Sequence, residues 1–138
     1  MKGLAATISS LPPSANKIYV RLGRGTILSK EAKTFKAKAK MELLQQWAFE
    51  EGLDPNQPYS LSLTFYLPKL ENKGWPDKAK SRFAKRDVTN LIKLLEDIIA
   101  QTTGVDDSAT LDVCVHKRLD SGNPRVEVRI EQLEEIPQ

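Results

Sequence analysis

Residues 59–67, YSLSLTFYL, alternate without a break: Tyr59, Leu61, Leu63, Phe65 and Leu67 fall on one side of the chain. A side-chain period of two is the mark of a strand, and Pro68 ends it because it has no N–H to give a ladder. The rest of the fold has to be built around that strand. Ser29 is a good N-cap for a helix expected from Lys30 to Glu51, with Gly52 as its stop. In it Ala32, Phe35, Ala39, Leu43 and Trp47 recur at three- and four-residue spacing. A second helix is expected from Val88 to Thr103, with Val88, Leu91, Leu95, Ile98 and Ile99 as a broad apolar face and Gly104 as its stop. Shorter strands are expected over Leu4–Ser9, around Ile18–Val20, and over Thr26–Leu28 after a Gly23-Arg24-Gly25 turn. Ala109–Lys117 and Arg125–Ile130 read as the two arms of a hairpin turning at Asp120–Pro124. The fold class is α/β (α+β): a single domain with a small mixed β-sheet flanked by two main helices.

Charge is unevenly placed along this scaffold. The net charge of the 138-residue chain is +3, yet residues 17–40 and 69–86 together carry +12 and the remainder −9. A solvated helix face and a loop can produce such stretches, but two basic segments beside clustered carboxylates fit a polyanion better. Residues 69–86 lack periodicity and are expected to form a mobile basic loop, and the acidic end from 130 to 138 is expected to fray. Trp75 in that loop either packs locally or stacks on a base. The one cysteine, Cys114, excludes an intrachain disulfide and a zinc knuckle. No long apolar run is present at the start or elsewhere, so neither a signal peptide nor a membrane span is expected. The protein is expected to be soluble and cytoplasmic.

The chemistry-bearing residues gather around the second helix. Asp87, just before it, reads by itself as an N-cap worth about 1 kcal/mol, and Asp106-Asp107 as turn punctuation. Adjacent carboxylates raise each other's proton affinity, and a hard cation with oxygen ligands relieves that repulsion. Asn90, Lys93 and Asp97 share the polar helix face; Lys93 there is either solvated or catalytic. Arg86 can pair with Asp87 or fork onto a phosphate. His116 reads as structural, Cys114 has no local base to activate it, and no Gly-rich phosphate loop occurs.

Three segments in order, LPPSANKIY, RDVTNLIK and GVDDS, resemble the RusA family of Holliday junction resolvases, over roughly residues 8–130. That family carries a PPS-x-N-x-x-Y opening, a basic run into D-x-D-N-x-x-K, and a later DD pair. The resemblance implies a dimeric, magnesium-dependent endonuclease (manganese a possible substitute) that cuts four-way DNA junctions in recombination and repair. It makes Asp87 the first metal-binding aspartate, Asp107 the last with Asp106 its neighbour, and Lys93 the catalytic lysine. Asn90 matches the motif's asparagine. Thr89 stands where many members carry aspartate, and a hydroxyl is the weaker cation ligand. In the implied mechanism metal held by Asp87 and Asp106/Asp107 activates water for in-line attack, and Lys93 stabilises the phosphorane or leaving oxygen. Arg86, Lys85, Lys78, Lys80 and Arg82 are candidate phosphate contacts, with Asn16, Lys17 and Arg24 as further DNA-binding candidates. Two alternatives stay open: a junction-binding protein that has lost chemistry through Thr89, and a basic module that binds an acidic protein surface.

Geometry adds one expectation. A helix over 88–103 is about 24 Å long, which sets Asp87 and Asp106-Asp107 beyond opposite ends. Gly104 and Val105 alone are too few to carry the chain back. A two-fold dimer with antiparallel helices would let Asp87 of one chain meet Asp106-Asp107 of the other, giving active sites shared between subunits.

Overall fold

The computed structural model describes residues 2–138. Strand β4, Tyr59–Leu67, is the alternating segment, and all five of its inward side chains are buried while the intervening ones are only partly covered. It lies inside a four-stranded sheet of order β1-β6-β4-β5, where β1 is Gly3–Ile8, β5 is Thr110–Leu119 and β6 is Arg125–Gln132. β4 pairs parallel with β5 and antiparallel with β6, and β6 pairs antiparallel with β1. The expected mixed sheet is therefore present. A separate two-stranded ribbon is made by β2, Tyr19–Leu22, and β3, Gly25–Leu28. Its turn places Gly23 at φ 59°, a left-handed conformation that favours glycine.

The expected hairpin of β5 with β6 does not form, because β4 lies between them. The segment 120–124 has to span two inter-strand spacings, about 9.6 Å, which a tight hairpin turn does not do. The Asp120 N–H donates to the Leu67 carbonyl at 2.9 Å, and Arg125 closes on Asp120 at 2.8 Å, so the connection wraps over the end of β4. β6 carries Val126, Val128 and Ile130 into the core, which suits an interior strand. β5 is left on the edge with Leu111, Val113 and Leu119 substantially exposed. β6 also continues through Gln132, into the stretch expected to fray.

Two helices, α1 (Lys30–Gln46) and α2 (Ile92–Thr103), complete the domain. Ser29 caps α1 as expected, its Oγ accepting from the Ala32 N–H at 3.1 Å, and it also donates to the Lys17 carbonyl. Helix α1 ends before the expected Glu51. Trp47 is buried at its end and its indole N–H donates to the Ala5 carbonyl on β1 at 3.1 Å. That fixed anchor on the sheet turns the chain off the helix axis. Ala32, Phe35, Ala39 and Leu43 face the core, and Lys40 bridges to Gln101 of α2 at 3.0 Å. In α2, Leu94, Leu95, Ile98 and Ile99 are buried, and Gly104 terminates it at φ 78°. No helix among the described residues is long and apolar enough to cross a membrane.

Candidate active site

The helical rod expected to start at Val88 begins as a tight 3-10 turn, Thr89–Leu91, which runs into α2. Leu91 and Val88 are buried beneath it and fix its position. Asp87 therefore precedes a 3-10 turn, whose N-cap position is Val88, and not an α-helix. One carboxylate oxygen accepts from the Thr89 hydroxyl at 2.7 Å and, weakly, from the Asn90 N–H at 3.4 Å; the other accepts from Asn90 Nδ2 at 2.6 Å. The Thr89 hydroxyl, followed by backbone donors of the turn and the charge of Lys117, holds the Asp87 carboxyl below its ordinary range. Thr89 is thus spent on orienting Asp87. This arrangement ties Asp87 to the side chains of the turn and leaves an ionised, solvent-facing carboxylate.

Around Asp87 the chain gathers cations and amides. Ser14, Asn16, Lys85, Arg86, Asp87 and Asn90 line one pocket, so the PPSAN segment and the basic run meet there. Arg86 Nη2 donates to the Pro12 carbonyl at 2.9 Å. Its Nε is buried with no partner among the described residues, and burial pushes the guanidinium below its ordinary pKa. Lys117, near the end of β5, donates to the Arg86 carbonyl at 3.2 Å. Ser14 and Lys117 escape sequence reading. Ser14 could have been taken from the motif itself, whereas Lys117 arrives only through the β4–β5 register, opposite Phe65.

The second set of carboxylates follows α2. Gly104 reverses the chain, and buried Val105 draws it against the core. Asp106 then caps the 3-10 turn Asp107–Ala109, accepting from Ser108 N at 3.1 Å and Ser108 Oγ at 2.6 Å. The Ser108 hydroxyl is the main reason its carboxyl is held low. Asp107 pairs with Lys93 at 3.1 Å, and Lys93 pairs with Asp97 one turn on at 3.2 Å. These carboxylates raise the Lys93 ammonium above its ordinary pKa, so it is charged at neutral pH. Glu96, missed by sequence reading, joins them; partial burial first, and then the Asp107 charge, push its carboxyl up.

The expectation that two residues cannot turn the chain back is corrected in part. The glycine reversal, with the reach of the Lys93 side chain, is enough to join Asp107 to Lys93. No hydrogen bond or ion pair joins Asp107 to Asp87 among the described residues. Lys93, the partner of Asp107, lies six residues beyond Asp87 along the same rod, about 9 Å at the helical rise. Among the described residues no three His, Cys, Asp or Glu side chains converge enough to hold a metal ion. The donors are hard oxygens of the kind magnesium takes, but within one chain their arrangement does not fit a single ion.

The other DNA-binding candidates are spread out. Asn16 reaches the Asp87 pocket, while Lys17, in the same 3-10 turn, and Arg24, between β2 and β3, are exposed away from its lining. Lys78, Lys80 and Arg82 belong to the excursion between β4 and Asp87, and Arg82 pairs with Glu71 at 3.1 Å. Cys114 and His116 are exposed on β5, with side chains on the same sheet face as Ser62 and Thr64 of β4, away from the buried one.

No curated protein matches the chain significantly. The family described as Endodeoxyribonuclease RusA does match, over residues 10–131, a span that includes the PPSAN segment, Arg86–Lys93 and Asp106-Asp107. A match over nearly the whole chain, on the segments that build both halves of the site, shows that this protein belongs to the RusA endodeoxyribonuclease family.

Proposed function

We propose that this protein is a magnesium-dependent endonuclease that cuts phosphodiester bonds at four-way DNA junctions in recombination and repair. The observation that carries this reading is the pocket at Asp87: the Arg86 Nε is buried without a partner beside Ser14, Asn16, Lys85 and Asn90. An orphaned guanidinium N–H costs about 1–3 kcal/mol or more, and such a group persists where a bound ligand completes it. A backbone phosphate carries the charge and the oxygens that this set of donors matches. Lys85, Arg86 and Asn16 bind and orient that phosphate, and contacts of this kind read backbone shape, not sequence.

Lys93 has a charge already in place to stabilise negative charge that develops on phosphorus or on the leaving oxygen. Its pairing with Asp97 and Asp107 holds the ammonium still until substrate competes for it. Because no three metal-ligating side chains converge within one chain among the described residues, we assign the cation to a homodimer in which each site draws Asp87 from one subunit and Asp106-Asp107 from the other. A magnesium ion bound there supplies positive charge and activation of water. A chain with one exposed cysteine and no structural disulfide suits a reducing cytoplasm.

The test is incubation of the protein with a labelled four-way junction and with a linear duplex of equal length, each with and without magnesium. The reading requires paired cuts in the junction that depend on magnesium. Tight, salt-sensitive junction binding with no cuts at any magnesium or manganese concentration would leave a binding protein. Absence of both would leave the protein-interaction alternative.

A further inference from the structure

The segment between β4 and Asp87 is organised where the sequence offers no periodicity. Glu71 and Phe83 form an isolated antiparallel bridge. The Asn72 N–H donates to the Arg82 carbonyl at 2.7 Å, and the Ala84 N–H to the Leu70 carbonyl at 2.9 Å. Asn72 Nδ2 adds bonds to the Ser81 and Phe83 carbonyls at 2.8 and 3.1 Å. Residues 70–84 are thus closed at the base like a hairpin. Beyond that base, Trp75 is 46% exposed and Phe83 61% exposed. Both rings lie against one cation: the Arg82 guanidinium carbon is 5.6 Å from the Trp75 centroid and 5.2 Å from that of Phe83. Glu71 holds that guanidinium from the side through Nε and Nη2, at 3.3 and 3.1 Å.

We propose that this excursion is a base-stacking element, in which Trp75 and Phe83 receive bases that lose a stacking neighbour at the branch point of the DNA. The inference rests on the junction-cutting reading above and adds to it the groups that engage the bases. Two large rings at the surface of a loop invite a flat apolar partner, and the charge around them narrows the choice. Lys69, Lys73, Lys78, Lys80 and Lys85 belong to the same stretch of chain as the rings, against Asp77 and a Glu71 already paired. An apolar or basic protein surface is a poor match for that field; a strand that carries phosphates beside its bases is a good one. Location points the same way. Phe83 lies four residues before Asp87, at most about 14 Å along the chain, a distance that about four stacked nucleotides span. A strand whose phosphate sits beside Arg86 and Asp87 is therefore within reach of Phe83, and of Trp75 on the other side of the shared Arg82 guanidinium. The closed base keeps the rings pre-arranged, which reduces the ordering cost of binding.

Aromatic–base stacking is sequence-tolerant and each stack accounts for about 5- to 150-fold in affinity. Trp75→Ala and Phe83→Ala are expected to weaken junction binding by factors in that range, and binding of a linear duplex, whose bases stay stacked, by less than twofold. Trp75→Phe and Phe83→Tyr keep a ring and are expected to keep junction affinity. Phe83→Leu keeps the bulk without the ring and should behave like Phe83→Ala. Trp75 also reports directly: junction binding should quench tryptophan emission in the wild type, and the quenching should vanish in Trp75→Phe, where the buried Trp47 alone remains. Unchanged junction affinity in both alanine variants with unquenched emission overturns the proposal, even while wild-type protein binds and cuts junctions. Equal affinity for Phe83→Leu and wild type overturns the role of Phe83. If wild type neither prefers nor cuts the junction, the function reading fails and the stacking assignment fails with it.

Discussion

Arg86→Met separates the part of Arg86 in folding from its proposed part in DNA binding. The methionine keeps the length and apolar stem of the side chain and removes the guanidinium. On folding, the variant loses the bond from Nη2 to the Pro12 carbonyl, worth about 0.5–1.5 kcal/mol net and more for a charged donor. It also relieves the orphaned Nε, a desolvation penalty of about 1–3 kcal/mol. The two nearly cancel, so stability should change by no more than about 1 kcal/mol, in either direction. DNA binding has no such compensation. Loss of one phosphate contact should weaken binding to every sequence alike and lower the slope of log affinity against log salt by about 0.9. Urea melts give the first quantity, and fluorescence anisotropy with a labelled junction across a salt series gives the second. A stability loss above about 2 kcal/mol with an unchanged salt slope would make Arg86 a structural clamp on the PPSAN segment. In that case the phosphate assignment at this pocket would be wrong.

Three further variants and one pH profile test other contacts. Ser29→Ala strips the cap from α1 and leaves the buried Ala32 N–H and Lys17 carbonyl unpaired, so urea melts should show a loss of about 2 kcal/mol that Ser29→Thr largely restores. Lys93→Met should reduce single-turnover junction cleavage by about 10²–10³-fold with an unchanged thermal midpoint and unchanged junction affinity. Because the folded pKa of Lys93 is raised, its pairing is fully present below the unfolded value near 10.4 and is lost only as pH rises through the folded one; a cleavage profile that falls between pH 7 and 9 would have to be assigned to another group. Thr89→Asp should lower the magnesium concentration for half-maximal cleavage, since a carboxylate suits a hard cation better than a hydroxyl; a raised requirement would show that the Thr89–Asp87 bond at 2.7 Å is needed to aim Asp87.

What could be read in the sequence was local. The β4 alternation, the Ser29 cap, the Gly104 stop and the inward residues of both helices each depend on neighbours a few positions away, and each is where the pattern puts it. What could not be read depends on partners far along the chain. The end of α1 is set by an indole that reaches Ala5, forty-two residues back. The hairpin assignment for β5 and β6 failed because turn residues at 120–124 specify a reversal but not which strand lies across it. At the site, Asp87, Lys93 and Asp106-Asp107 were visible through the motifs, and helix length set the aspartates apart, but the return of Asp107 to Lys93 was not visible. That return depends on the reversal at Gly104 and on buried Val105, while Lys117 reaches the residue before Asp87 only through the parallel β4–β5 crossover.

The same crossover supplies the strongest argument for a site shared between two copies. Lys117, seven residues after Thr110, touches the residue before Asp87, while Asp107 opens the short turn that leads into the strand. The two halves of the site thus mark opposite ends of β5, an edge strand with exposed Leu111, Val113 and Leu119 and no partner on its outer side among the described residues. An unpaired edge of this kind invites another strand, and two copies of β5 can pair antiparallel about a two-fold axis. A register centred on Val115 would set Leu111 against the partner's Leu119 and Asp112 against the partner's Arg118. It would also run the start of each β5 alongside the end of the other, and carry Asp107 of one copy toward Asp87 of its mate. Mixing two inactive proteins tests the idea. In a heterodimer of Asp87→Asn with Asp107→Asn, one shared site carries both lesions and the other is intact, so single-strand nicking should return to about half the wild-type rate per dimer. If each site were built within one chain, both sites of that heterodimer would be damaged and no nicking would appear. Native mass spectrometry to confirm mixed dimers makes an absence of nicking decisive, and Asp112→Arg with Arg118→Asp, each alone monomeric and together dimeric, checks the register independently.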